Sequence, residues 1–115
     1  MPTMQIPQEE WNDFLSAFSA HNQTRKVNVD IETSDLGAER LVDQKPLLAL
    51  ETDLKDEHEP TITVIAGDPE GGEPGALTHQ VMNPVAVWIK QDDAGKAEAL
   101  DIEMEDGRTI IQFTE

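Results

Sequence analysis

Residues 97–114, AEALDIEMEDGRTIIQFT, carry the clearest structural signal in the chain. Leu100–Glu105 and Arg108–Thr114 flank Asp106-Gly107, a dipeptide that favours a two-residue hairpin turn. Such a turn predicts a register in which Glu105 faces Arg108, Met104 faces Thr109, Ile102 faces Ile111 and Leu100 faces Phe113. One face of the hairpin then collects Leu100, Ile102, Met104, Ile111 and Phe113. The other collects Asp101, Glu103, Glu105, Arg108 and Gln112 around Ile110. Turn chemistry and apolar alternation agree, so this segment is a half-buried antiparallel pair.

Working towards the N-terminus, the same period of two recurs. Val85, Val87 and Ile89 alternate with Ala86, Trp88 and Lys90 before a hairpin loop, QDDAGK, at 91–96. Leu77–Met82 reads as a strand that Asn83-Pro84 breaks. Thr61–Ala66 is β-branched and strand-like. Leu47–Leu54 follows Pro46, and Val27, Val29 and Ile31 alternate with polar neighbours. Ser34–Gly37, Asp56–Pro60 and the acidic Gly67–Gly75 segment read as loops. Residues 38–45 are ambiguous and fit an edge strand.

The period changes to helical only near the start. Trp11, Phe14, Leu15 and Phe18 fall at i, i+3, i+4 and i+7, which predicts a helix over 7–21. Pro7 suits its first position, and Glu9 and Glu10 complement the helix dipole. His21 and Asn22 form a plausible C-terminal end. Burying the four stripe residues is worth about 6–12 kcal/mol as an upper bound.

The 115 residues fit one domain, 1–115. The expected fold is α+β, an N-terminal amphipathic helix followed by an antiparallel sheet of five to six strands. The candidate strand segments, seven in all from which that sheet would be drawn, are about 25–32, 46–54, 61–66, 76–82, 85–91, 97–105 and 108–114. Such a sheet can curl into a small open barrel of the SH3-like or Sm-like kind. A flatter helix-on-sheet sandwich is the alternative.

Charge bounds the partners. Asp and Glu number 24 against 8 Lys and Arg, a formal net charge of −16. Residues 51–115 carry 16 of those acids with 4 bases. Phosphate recognition needs a basic surface, so nucleic acid is not an expected partner. A basic protein partner suits this surface, and so does adaptation to a salt-rich setting. The chain contains no cysteine, which excludes disulfides, thiolate zinc sites and Cys nucleophiles. The N-terminus lacks a basic region followed by an apolar run, so no signal peptide is read. The longest apolar stretches, such as Val85–Ile89, are far short of a membrane span. A cytoplasmic protein, monomer or homodimer through an edge strand, is the expectation.

Catalytic and metal signatures are missing from the sequence. There is no nucleophile elbow, P-loop or dinucleotide fingerprint. Asp101, Glu103 and Glu105 before Asp106-Gly107 resemble the opening of a calcium loop. The sixth and twelfth positions, however, are Asp106 and Gln112 rather than Gly and a carboxylate. Asp53, Asp56, Glu57, His58 and Glu59 offer loop carboxylates for weak divalent-cation binding, yet charge runs are usually solvated loops. His21, His58 and His79 lack ligand spacing, and His79 suits a packed or hydrogen-bonded role within a strand. No catalytic, cofactor-binding or metal-ligating residue is assigned, and no cofactor is expected. Trp88 is either core or an aromatic anchor for a partner. The residues nominated for interaction are Trp88, Asp101, Glu103 and Glu105.

Three segments together carry a resemblance. They are EEWNDFLSAFSAHN at 9–22, LTHQVMNPVAVWIKQDDAG at 77–95 and EALDIEMEDGRTIIQFT at 98–114. In order and spacing they resemble a family of small bacterial proteins known as domain of unknown function 5335. The resemblance implies a single domain and supplies no activity. The expected role is therefore a non-catalytic accessory or interaction domain. A halophilic-type acidic protein of unrelated function, or a weak cation-binding module, is the alternative.

Overall fold

The computed structural model describes residues 3–35, 37–53, 60–67 and 76–114. Among the described residues eight strands and one α-helix follow each other along the chain. They are β1 (Thr3–Ile6), a 3₁₀ turn (Gln8–Glu10), α1 (Trp11–Asn22), β2 (Lys26–Thr33), β3 (Gly37–Asp53), β4 (Thr61–Gly67), β5 (Ala76–Met82), β6 (Ala86–Gln91), β7 (Ala97–Met104) and β8 (Gly107–Phe113). All eight strands form one antiparallel sheet in the order β1-β6-β7-β8-β2-β3-β4-β5. The α+β class and the N-terminal helix are as expected. The strand number is not: eight strands among the described residues replace the expected five or six, and the sheet is not closed into a barrel, with β1 and β5 as its edges.

The helix forms for the reason its periodicity predicts. Trp11, Leu15 and Phe18 are buried and Phe14 packs partly against them. The start is one turn later than expected. Pro7 precedes a 3₁₀ turn closed by the Glu10 amide on the Pro7 carbonyl (2.9 Å), and α-helical geometry begins at Trp11. Asn22 ends the helix by folding its Nδ2 back onto the Phe18 carbonyl (2.9 Å). The buried stripe meets Val27, Val29, Leu47, Leu50, Leu100, Ile102 and Ile111 in one core. Two side-chain bonds tie the helix to β3: Leu50 N–H donates to Ser19 Oγ (3.0 Å) and Thr52 Oγ1 to Asn12 Oδ1 (2.8 Å).

Two strands were missed or split by local pattern. β1 is too short to show alternation, yet it pairs with β6 through Thr3↔Lys90 and Ile6↔Val87. The Trp11 indole N–H then donates to the Ile6 carbonyl (2.9 Å), joining strand to helix. The ambiguous residues 38–45 and the predicted strand 46–54 are parts of one strand, β3, which serves two neighbours. Its first half pairs with β2 and its second with β4, so 37–45 is indeed an edge on one side. The change of neighbour is made at a bulge. Gln44 has φ +53°, its amide is taken by Asn28 Oδ1 (2.8 Å), and the β2–β3 register shifts there. Leu54, the Asp56–Glu59 part of one predicted loop and residues 68–75 of the other lie outside the described residues.

The C-terminal hairpin keeps its faces but not its register. The observed pairs are Met104↔Gly107, Glu103↔Arg108, Ile102↔Thr109, Leu100↔Ile111 and Ala99↔Gln112. The turn is Glu105-Asp106, and Gly107 is the first residue of β8. The reason is tertiary: Gly107 also pairs with Thr33 of β2, and any Cβ there would run into the Glu32 carbonyl. A slip of two residues leaves every side chain on its original side. Leu100, Ile102, Ile111 and Phe113 are accordingly buried, while Met104 is half-buried against them. The strand predicted from 85 starts at Ala86, and Val85 is 61 % exposed.

His79 points inward from β5 and its Nε2 lies 3.3 Å from Thr109 Oγ1 of β8. Thr109 is fully buried, so this contact joins the last strand of the sheet order to its middle across the interior. Burial holds the His79 imidazole below its ordinary titration range.

Candidate functional site

The strands β6, β7 and β8 turn one face to the core and the other to solvent. On the outer face, register places Trp88, Asp101 and Ile110 in a row across the three strands. The flanking rows are Lys90 with Ala99, and Glu103 with Arg108. Trp88, Ala99, Asp101, Glu103 and Ile110 line a depression of about 370 Å3, with Thr3 and Lys90 on the β1 side.

Trp88 is neither a core residue nor a fully exposed one. It is half-buried, and its indole N–H donates to Glu103 Oε1 at 2.6 Å. That short charge-assisted bond fixes the ring beside the depression. Asp101 stands at its centre. Its Oδ2 faces Arg108 Nη1 at 3.4 Å, while its buried Oδ1 has no hydrogen-bond partner among the described residues. Desolvation pushes the Asp101 carboxyl above its ordinary range, with Arg108 pulling the other way. A carboxylate oxygen removed from water and left without a donor is costly, and a donor supplied from outside relieves that cost. Arg108 is shared, since its Nε also lies 3.4 Å from Glu32 Oε2. Lys90 Nζ lies 3.9 Å from Glu98 rather than on Asp101.

The fold therefore gathers three of the four nominated residues, Trp88, Asp101 and Glu103. Glu105 does not join them. It sits in the β7–β8 turn beside a different surface depression, with Met82 and Asn83. Ile110 was legible as an outward apolar residue, and Ala99 and Thr3 were not. Thr3 reaches the site only because β1 pairs with β6.

The calcium-like run is spread along β7 as the strand reading requires, and no group of three or more His, Asp or Glu among the described residues is placed to hold a metal ion. His58 and the acids at 56, 57 and 59 lie outside the described residues. No helix is long and apolar enough to cross a membrane among the residues described.

A model of a family of unknown function, DUF5335, matches residues 2–115. The chain belongs to the DUF5335 family. Neither the curated proteins nor the solved structures yield a match to it. Membership in DUF5335 agrees with the three segments quoted above and leaves the role of the outer depression to its chemistry.

Proposed function

We propose that this chain is a non-catalytic interaction domain that captures a Lys or Arg side chain of a protein partner in the outer depression. The observation that carries the reading is the buried Oδ1 of Asp101, between Trp88 and Ile110 and without a donor among the described residues. A long cationic side chain matches each element of that setting. Its methylenes cover Ala99 and Ile110, its charge lies near an indole, and its N–H groups satisfy Asp101. The net charge of −16 accelerates encounter with a basic surface and makes the rate sensitive to salt. A cytoplasmic setting, in monomeric or homodimeric form, and no role for nucleic acid or membrane belong to the same reading.

The test is titration with short Lys- and Arg-containing peptides at low ionic strength, followed through the Trp88 indole N–H resonance. Saturable shifts at Trp88 that Asp101→Asn weakens by about tenfold or more support the proposal. No binding by any basic peptide at low salt sinks it.

The charge itself has a second reading, because 24 acids also suit a protein kept soluble in concentrated salt. Thermal unfolding in KCl from about 0.02 M to 3 M separates the two, since screening is mostly complete below 1 M. Folding only at molar salt assigns the charge to habitat.

A further inference from the structure

On the other side of the molecule lies a groove of opposite character. It runs between the last turns of α1 and the β6–β7 loop and measures about 550 Å3. Its apolar wall includes Phe14, Phe18 and Ile89, and its basic lining residues are His21, Arg25 and Lys96, with no acid among the described residues. In a chain with three acids for each base, that grouping is the reverse of what chance distribution gives.

The groove is built as well as charged. Arg25 sits over the Phe113 ring, its Cζ 4.0 Å from the centroid, and donates from Nη1 to Asn22 Oδ1 at 2.7 Å. This cation–π contact and hydrogen bond hold a guanidinium whose planar donors suit carboxylates. The nearby Asp92 carboxylate is occupied by its own loop, where Oδ1 accepts from the Ala94 and Lys96 amides at 2.9 Å each. Gly95, at φ +87°, permits that turn and brings the Lys96 stem to the groove. Among the described residues neither His21 nor Lys96 has an acidic partner within ion-pair distance. The helix-end carbonyl of Phe18 is taken by Asn22. Distant acids are screened within about 10 Å at 0.1 M salt, so the local cations set the potential felt by a bound group.

We propose that this groove binds a small organic anion, a carboxylate on an apolar body, with the body against Phe14, Phe18 and Ile89 and the carboxylate between Arg25 and Lys96. The volume lies within the range of small-molecule sites. The site is independent of the outer depression, so either can fail alone.

The experiment compares three eight-carbon probes, octanoate, octanol and octylammonium, by amide shift perturbation of the full chain. Octanoate is expected to bind saturably with shifts confined to Ala17, His21 and residues 94–97, and more tightly than the other two. Lys96→Ala weakens octanoate about three- to fivefold, as expected for one solvent-facing ionic contact. Ala17→Trp, at an exposed position lining the groove, blocks it. Both positions are exposed, so both variants are expected to fold, which their unperturbed Trp11 indole resonance checks. Octanol or octylammonium binding as tightly as octanoate, no saturable octanoate binding, or an unchanged Lys96→Ala affinity each overturns the proposal.

Discussion

Leu100 and Ile102 of β7 are fully buried, while Asp101 and Glu103 between and beside them face outward. One strand thus carries two regimes one residue apart. On the inner face, energy comes from removing apolar surface from water, and almost every side chain is satisfied by shape alone. On the outer face, Trp88, Ile110 and Ala99 are only half covered and a carboxylate is left short of a donor. The difference teaches that the inner face is complete as it stands and the outer face is not. The incomplete face is the one proposed above to receive a partner's cationic side chain.

The comparison is broken most severely from the inside. Leu15→Ala, at a site with no solvent exposure beneath the sheet, is expected to cost about 2–5 kcal/mol in denaturant unfolding, without altering peptide affinity of the folded fraction. A cost well below that range shows that helix and sheet are loosely docked. Gly107→Ala comes next. Its Cβ meets the Glu32 carbonyl, so β8 or β2 must shift, at about 1–3 kcal/mol by the usual cost of overpacking. Neutral behaviour in the same measurement means that the hairpin adopts the Asp106-Gly107 turn instead.

A smaller and opposite effect is expected on the outer face. The Asp101 carboxyl is pushed up by desolvation from the ordinary 3.8. A raised acid holds its proton better when folded, so its stabilising contribution is complete below 3.8 and is lost as pH rises through the higher folded value. Asp101→Asn removes that loss. The variant should match the native protein in strong acid, gain on it as pH rises from 3.8 through the folded value, and keep a constant lead above that, while binding basic peptides more weakly. A stability difference that stays flat with pH contradicts the desolvated-carboxylate account. The smallest effect belongs to Arg40→Ala. Arg40 bonds Asp30 at 2.8 Å on the exposed β2–β3 arm, and a thermal scan should barely register its loss.

Much of the inner face was readable in sequence because it depends on period. The helical stripe Trp11, Phe14, Leu15, Phe18 and the alternation around Ile102 and Ile111 each report which side is dry. The outer site was half legible. Trp88, Asp101 and Glu103 could be nominated as outward residues, and Glu105 was nominated on the same pattern although it faces a different hollow. Lys96 carries no such signal, because nothing local to residue 96 announces the Phe14–Phe18 wall seventy-eight or more residues earlier.

By itself the sequence determined one amphipathic helix, alternating strands, a large acidic surface and membership in DUF5335. The first three follow from side-chain spacing and composition, which act over a few residues, and the membership rests on the family model's match to residues 2–115. Only the tertiary structure decided that β1 is a sheet strand, that β3 runs through Pro46 to serve both β2 and β4, and that the last turn is Glu105-Asp106. Each of those is a choice of partner. The free energy that makes the choice, a Gly107 that admits the Glu32 carbonyl or a bulge held by Asn28, comes from residues far apart in the chain, and no local pattern encodes it.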